Sequence, residues 1–328
     1  MVRNIIKNIP GIRNILRSIR FRCEYRYDRK FFENNYSHSK TTQNKTGYNM
    51  LLIAHALEKG MSNKNPRRFG VQKVEELMEL ISLYESYGSY KNDFAYINAI
   101  NVLRGYTGFY EEKKWTDADE YKKVCEFIKS RKNVNNMNVG SFTLFKKDFE
   151  NDAKINYHKF LLSRHSVREF KREAIQETDL IKAVEDAILT PSACNRQMCK
   201  VYYVTDEDRR KKLIEMAQGF GGFEKETINP LVVTFDANAN YFIGERNQGW
   251  FNAGLFSLNL VNSLHAHGIG SCFCQFGNTV KEEEKLKDIL DIPKNERIAV
   301  LIACGYYVDE CRIPYSPRKE IRDIYKKI

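Results

Sequence analysis

The feature that most constrains the fold is a change in hydrophobic periodicity about halfway along the chain. Over residues 48–131 apolar side chains recur every three or four positions, which is typical of amphipathic helices, and no strand pattern interrupts them. After residue 151, helical segments alternate with short β-branched and aromatic runs at 200–205, 230–235 and 298–304. The sequence therefore predicts an all-helical part followed by an α/β or α+β part, in which helices enclose a sheet.

A polar, asparagine-rich stretch separates these two parts. Residues 131–140 show no periodic apolar pattern and are typical of a connector. We place the boundary between this stretch and Asn151, which predicts a helical N-terminal domain over residues 1–150 and a second domain over residues 151–328. The length of 328 residues agrees with two domains of roughly 150 residues each.

Composition excludes several classes of protein. With 42% hydrophobic and 12% aromatic residues, the chain can bury a core, which excludes a disordered protein. No run approaches the ~20 apolar residues of a membrane span, and arginines interrupt residues 1–21, so no signal peptide is predicted. We expect a cytoplasmic protein with eight reduced cysteines. None of them forms a Cys-x-x-Cys pair, so neither a structural zinc site nor a disulfide scaffold is predicted.

The net charge of +11 is concentrated at the N-terminus. Residues 1–30 hold nine basic and two acidic side chains, and isoleucines recur among them at threes and fours. This spacing predicts a basic amphipathic helix, which Pro10-Gly11 would break or kink. Three interpretations stay open: a solvated helix packed on its own domain, contact with an anionic membrane surface, and, least favoured, contact with nucleic acid.

The common catalytic motifs are missing from the sequence. There is no Gly-x-Ser-x-Gly elbow, and residues 219–222 lack the spacing of a dinucleotide-binding loop. His265 and His267 have no companion ligands and are interpreted as polar residues at a helix end. Cys272 and Cys274 would share one face of a strand as small apolar side chains. We therefore predict no catalytic side chain and no metal site.

Residues 163–170 carry groups suited to binding a phosphate. Arginine supplies a rigid fork of donors for phosphate oxygens, and serine and histidine supply short donors. These groups fall within five consecutive positions and are Arg164, His165, Ser166 and Arg168. An ordinary basic surface turn would show the same composition, so both interpretations stay open.

Two later segments add groups suited to a planar cofactor. Residues 191–197 offer hydroxyl and amide groups that donate and accept, as the edge of a flavin requires, although a capped polar loop fits equally well. Residues 268–272 contain glycines that let the backbone approach a ligand closely, although a plain helix-to-strand turn would look the same. Arg318 adds a cation near the C-terminus.

Together, the order and spacing of these segments resemble the flavin-dependent nitroreductase family. The resemblance runs from about Tyr157 to the end of the chain. It includes SRHSVREF at 163–170, PSACNRQ at 191–197, a long apolar helix ending in GIGSC at 268–272, and ACG at 303–305. It implies an α+β fold with a mixed sheet flanked by helices. It also implies an intertwined homodimer with two FMN sites between the subunits.

The resemblance further implies a role for each residue of the cofactor site. The residues implied to hold the FMN phosphate and ribityl chain are Arg164, His165, Ser166, Arg168 and Arg318. Those implied to contact the flavin or its chain are Pro191, Ser192, Asn195 and Gln197. Gly270 and Ser271 are implied as backbone donors near the reactive ring.

The implied activity is a ping-pong reaction carried by the cofactor. NADH or NADPH would deliver hydride to FMN and leave, and an electron acceptor would take its place. Residues 220–223 and 241–250 are the candidate substrate loops because of their aromatic and glycine content. A competing interpretation is a membrane-surface or complex-associated scaffold, in which the flavin domain is non-catalytic and residues 1–150 dock.

Two positions depart from the family pattern. Asn252 stands where an acid is often found, and Ser316 stands where some members have a second cation. The N-terminal helical region resembles one appended to some members, with His55–Gly60 as its recognisable run. This run predicts a helix that ends at Gly60.

Overall fold

A computed structural model gives the fold and describes residues 10–36, 41–63, 66–142, 156–277, 279–311, 313–314, 316 and 318–328. The boundary expected between residues 140 and 151 falls largely outside the described residues, so the division into two domains stays a prediction. The first isoleucines of the basic segment, Ile5, Ile6 and Ile9, also lie outside them.

The N-terminal part is helical, as predicted. Its helices are α1 (Pro10–Asn35), α2 (Gln43–Met61), α3 (Val71–Ser86), α4 (Phe94–Glu112) and α5 (Asp119–Lys129). Helices α2 to α5 turn their apolar faces toward one another, and their buried side chains form a single cluster that includes Leu57, Leu77, Leu103 and Val124. This part of the chain therefore has a hydrophobic core of its own.

The prediction that α2 ends at Gly60 is wrong. The helix continues to Met61, and the glycine instead makes room for a ring, because a Cβ at position 60 would lie 2.2 Å from Phe69. The Phe69 carbonyl in turn accepts hydrogen bonds from the Tyr106 and Tyr110 hydroxyls at 2.6 and 2.9 Å. Gly60 thus serves packing between segments rather than the end of a helix.

The C-terminal part is built on a four-stranded sheet, which gives the predicted α+β architecture. The strands are β1 (Cys199–Tyr203), β2 (Asn229–Asp236), β3 (Ile269–Cys274) and β4 (Glu296–Tyr306), in the order β1-β2-β4-β3 with antiparallel neighbours. One isolated parallel bridge, between Ser166 and Ser271, extends the sheet beside β3. Strand β4 is central, as its unbroken apolar run predicts.

Helices cover both faces of this sheet. The helices of the C-terminal part are α6 (Tyr157–Ser163), α7 (Glu177–Ile188), α8 (Glu207–Met216), α9 (Gln248–Ala266), α10 (Val280–Leu290) and α11 (Ile321–Ile324). Helices α7 and α9 pack on one face and α8 and α10 on the other. Among the described residues, no helix is both long and apolar enough to cross a membrane.

Helix α9 is buried on one side only, although its sequence is apolar nearly all round. Phe256 and Leu260 pack against the sheet. Phe251, Leu255 and Leu258 are 62%, 39% and 50% exposed, and their spacing of four and three residues places them along one side of the helix. We call Phe251, Leu255 and Leu258 the α9 stripe.

Arg297 joins α1 to the C-terminal part. Its guanidinium pairs with Asp28 of α1 at 2.8 Å and with Glu283 of α10 at 2.9 Å. The same group lies over the rings of Tyr27 and Phe31, 5.5 and 5.2 Å from their centroids. The second half of α1 is therefore held on the C-terminal part of the chain.

A second contact joins α2 to the end of β2. The fully buried Asp236 carboxylate accepts hydrogen bonds from Asn44 at 2.6 Å and from the Tyr48 hydroxyl at 3.3 Å. Burial raises the pKa of Asp236. Helix α2 also packs against the short 193–195 turn, which lies within the segment predicted to contact a flavin.

Candidate functional site

The 164–170 segment runs along the edge of the sheet beside β3. The backbone N–H of Val167 donates to the Ser271 carbonyl at 3.0 Å, and that of Lys171 donates to Tyr306 at 3.0 Å. Val167 and Phe170 are buried, and Ser166 bridges Ser271 in parallel register. The buried side chains anchor the segment, so the intervening polar side chains are held at the sheet edge.

The structure brings Arg164 and His165 close to His265 at the end of α9. The His265 ring lies 2.8 Å from the Ser163 hydroxyl through Nε2 and 2.8 Å from the Tyr307 hydroxyl through Nδ1. Burial, the Arg164 guanidinium and His165 all lower the pKa of His265. Among the described residues, the Arg164 guanidinium has no hydrogen bond or ion pair, so its charge is uncompensated here.

Cys272 experiences the same positive charge. The hydrogen bond from Cys274, the charges of Arg168 and Arg164, and the Ser166 hydroxyl lower the pKa of Cys272 to about 6, against the opposing effect of burial. A group of cations and donors thus faces one end of β3. We call Arg164, His165, Ser166 and Arg168 the phosphate cluster, after the ligand that such donors bind.

The 192–197 loop has an unusual and well-fixed backbone. Cys194, Asn195 and Gln197 adopt left-handed φ values of 50°, 52° and 49°, which are uncommon for residues other than glycine. The Ser192 hydroxyl accepts a hydrogen bond from the Gln197 N–H at 2.9 Å. Pro191, just before the loop, is exposed.

Arg196 ties this loop to a distant segment. Its side chain is 1% exposed and forms a two-pronged ion pair with Glu245 at 2.6 and 2.9 Å. It also donates to the carbonyls of Ala193, at 2.9 Å, and Ala239. Burial alone would raise the pKa of Glu245, but the hydrogen bonds from Arg196 outweigh it and lower the pKa. Arg196 is therefore a structural clip and is not available to an anionic ligand.

A cavity of about 140 Å³ lies between the loop and α9. Its walls combine apolar side chains with a few polar ones, which are Thr190, Ser192, Gln197 and Asn252. The Asn252 side chain is 2% exposed, and its Nδ2 has no hydrogen-bond partner among the described residues. The cavity therefore has both the polar atoms and the unsatisfied donor of a binding pocket.

The predicted site residues fall into two groups at opposite ends of α9. The phosphate cluster lies near His265 and the loop near Asn252, and thirteen residues of helix separate these positions by roughly 20 Å. Gly270 and Ser271 are buried in β3 next to the phosphate cluster, and a Cβ on Gly270 would lie 3.1 Å from the Tyr307 ring. One chain does not bring the two groups into contact.

Arg318 is not joined to either group. Among the described residues, its guanidinium contacts the Ser316 carbonyl, and it is exposed. Sequence reasoning missed Tyr307, which contacts His265 beside the phosphate cluster, and Glu245, which pairs with Arg196 of the loop. No local pattern marks them, since each acts across a long stretch of chain.

Comparison with known proteins shows what the C-terminal part of the chain is similar to. Residues 161–306, somewhat less than half of the chain, match the model of the nitroreductase family. A protein of Archaeoglobus fulgidus, named as a candidate NADH dehydrogenase/NAD(P)H nitroreductase, is 26% identical over 153 residues. The match covers 46% of this chain and 86% of that relative.

Solved structures with the same family name were also found. A candidate nitroreductase of Desulfovibrio desulfuricans in complex with FMN is 20% identical with a TM-score of 0.46, and the match covers 53% of this chain and 98% of that one. A candidate nitroreductase of Bacillus subtilis is 21% identical with a TM-score of 0.47, and the match covers 52% of this chain and 98% of that one.

Proposed function

We propose that the protein is an FMN-dependent oxidoreductase that takes hydride from NADH or NADPH and reduces a small-molecule acceptor in a ping-pong cycle. The observation that carries this proposal is the uncompensated Arg164 guanidinium, which lies with Ser166 and two histidines at the edge of β3. Such a set of donors is suited to a phosphate. The nitroreductase-family domain and the NAD(P)H in the archaeal relative's name support the same proposal.

The two groups of residues fit the two ends of FMN. The phosphate cluster would hold the phosphate, with Arg318 as a further cation. Ser192, Asn195 and Gln197 would contact the ring or ribityl chain beside Pro191, and Gly270 and Ser271 would approach the ring with their backbone. Bound FMN supplies the hydride chemistry, while the protein orients the cofactor and limits water around it.

The separation of the groups supports a homodimer. Two α9 helices paired antiparallel about a two-fold axis would bring the His265 end of one chain beside the Asn252 end of its partner. The exposed α9 stripe is the apolar surface that such a pairing would bury. Each cofactor site would then be completed by residues from both subunits.

The test is FMN affinity in variants of the phosphate cluster. Arg164→Ala removes a charge-assisted hydrogen bond worth about 1.5–3 kcal/mol, so FMN should bind roughly 10- to 150-fold more weakly. Arg164→Lys should recover part of the loss, because lysine keeps the charge but not the planar fork. Fluorescence titration of flavin into the apoprotein measures both.

The control is Arg172→Ala, which removes an exposed arginine paired with Glu224 and should leave FMN affinity unchanged. If Arg164→Ala keeps wild-type affinity while Arg168→Ala abolishes it, the wrong arginine has been assigned to the phosphate. Purified protein that releases FAD, or no flavin, would contradict the cofactor assignment itself.

The scaffold alternative is favoured by the first half of α1. Residues 14–23 are all exposed, and Ile15, Leu16 and Ile19 are 59%, 48% and 51% exposed. The contacts that hold α1 on the C-terminal part lie further along the helix, at Tyr27 and Asp28. The apolar stripe and its arginines therefore face outward, as binding to an anionic membrane surface requires.

Vesicle binding tests this second function. Residues 1–22 can be deleted, whereas deleting residues 1–30 would also remove Tyr27 and Asp28 from their contacts. Since each base near such a surface contributes about 1 kcal/mol, the full chain should co-sediment with phosphatidylserine vesicles at low salt and the truncated chain should not. The full and the truncated chain should contain the same amount of flavin. Equal sedimentation of both proteins would return α1 to the solvated-helix interpretation.

A further inference from the structure

Asn252 carries a buried donor that nothing in the described structure satisfies. Its side chain is 2% exposed on the first turns of α9. Gln248, one turn earlier, donates from Nε2 to the Asn252 Oδ1 at 2.9 Å. This contact fixes the orientation of the amide and leaves Nδ2 without an acceptor among the described residues.

An unsatisfied buried amide is costly. Leaving one donor unpaired costs on the order of 1–3 kcal/mol, and a leucine of nearly the same shape would avoid that cost. The amide lines the 140 Å³ cavity together with Ser192 and Gln197, two residues already proposed to contact the cofactor. The unpaired donor is therefore located where a ligand oxygen would satisfy it.

We infer that Asn252 is a further cofactor-binding residue that donates its Nδ2–H to an acceptor oxygen of the flavin, either a ring carbonyl or a hydroxyl of the ribityl chain. This inference rests on the proposed function. Gln248 acts as a positioning residue, because it holds the amide with its donor side unpaired. An acid at position 252 would present oxygen to oxygen, so the amide selects for an acceptor at this point of the ligand.

Asn252→Leu separates this role from a structural one. The substitution removes the unpaired donor, so the apoprotein should be as stable as wild type or more stable, while FMN should bind about 10-fold more weakly. A residue that served the fold alone would change these two quantities in the same direction. Asn252→Asp, which keeps the shape and the size, should also weaken FMN binding.

Ser257→Ala is the matched control. Ser257 lies on the same helix, is 2% exposed, and has a buried hydroxyl without a partner, but it does not line the cavity. Its loss should leave FMN affinity unchanged. Lumiflavin, which lacks the ribityl chain, locates the acceptor: a penalty that persists with lumiflavin indicates a ring carbonyl, and one that disappears indicates the chain.

The experiment is a titration of FMN and lumiflavin into the apo forms of wild type, Asn252→Leu, Asn252→Asp and Ser257→Ala, with thermal unfolding of each. Wild-type protein that binds no FMN would contradict the proposed function and this inference with it. Wild-type protein that binds FMN while both Asn252 variants keep its affinity would overturn this inference alone. We expect both Asn252 variants to bind FMN more weakly than wild type. We also expect the apo form of Asn252→Leu to be at least as stable as the wild-type apo form.

Discussion

At the scale of single residues, His265 is sensitive to whatever binds beside it. Burial, Arg164 and His165 lower its pKa, so the folded protein resists protonating this ring. Without a bound anion, stability should fall as pH drops below the ordinary histidine pKa of about 6.5, because the unfolded chain takes up the proton more readily. An anion next to Arg164 would offset the repulsion and raise the pKa of His265 again.

We predict that anion binding is coupled to proton uptake by His265. Sulfate, which does not titrate in this range, should bind more tightly as pH falls from about 7.5 to about 5.5, a window that brackets the ordinary histidine pKa. Titration of the histidine proton resonances with and without sulfate measures the shift. In His265→Gln the pH dependence of sulfate binding should weaken, and in His55→Gln it should persist. An unchanged pKa of His265 at saturating sulfate would contradict the coupling.

Prediction of single residues from sequence works where a short motif carries the chemistry. Arg164 and Ser166 are two positions apart, so any fold that orders the segment keeps them together, and the structure holds them beside β3. Their role toward FMN stays a prediction. The role of Arg196 could not be predicted, because its partner Glu245 lies 49 positions away and the pairing exists only after folding.

At the scale of elements, Arg297 links α1 to α10 through its ion pairs with Asp28 and Glu283. The arginine is 8% exposed and Glu283 is 5% exposed, so truncating Arg297 would leave a buried carboxylate unpaired. Breaking a buried pair in this way costs about 3–5 kcal/mol. We predict that Arg297→Ala lowers the free energy of unfolding by that amount and weakens the contact of α1 with α10.

Urea unfolding measures the change, and Arg209→Ala is the control. Arg209 pairs with Asp291 on the surface, where both side chains are well exposed, so its loss should cost at most about 1 kcal/mol. If Arg297→Ala and Arg209→Ala prove equally mild, the Arg297 cluster does not fix α1.

Helices and strands were largely predictable because each buries one face in its own periodic pattern. Strand β4 follows from its unbroken apolar run, and α3 from its apolar side chains at threes and fours. The end of α2 was not predictable, since Gly60 lies inside the helix and serves the close approach of Phe69 from a separate segment. A glycine that ends a helix and one that admits a ring look the same in sequence.

At the scale of the whole molecule, the α9 stripe should control assembly. We predict that Leu255→Arg combined with Leu258→Arg yields a monomer of 38.5 kDa, where wild type gives twice that mass. The free-energy cost of burying two unpaired charges in an apolar interface is too large for the dimer to form. The variant should also lose FMN, since each site would then lack the half that its partner supplies.

Light scattering at micromolar concentration measures the mass. Leu83→Arg is the matched control, because Leu83 is also 39% exposed but lies on α3, away from the stripe. A wild-type protein that scatters as one chain would rule out the proposed dimer. A double variant that remains dimeric would exclude the α9 stripe from the interface.

The relation of the two halves of the chain could not be predicted. Composition and periodicity separate a helical part from an α+β part, but nothing local indicates that α2 packs on the 193–195 turn or that Asn44 and Tyr48 meet the buried Asp236. These contacts depend on side chains about 150 to 190 positions apart, whose complementarity appears only in three dimensions.

The Arg196–Glu245 clip constrains which substitutions residues 241–250 can accept. Residues 241–250 are a predicted substrate loop, and Glu245 within them also pairs with Arg196 of the loop proposed to contact the flavin. A substitution at Glu245 leaves the buried Arg196 guanidinium without its carboxylate partner, which is strongly destabilising. Evolutionary drift or laboratory diversification of this stretch should therefore preserve Glu245, or change Arg196 with it.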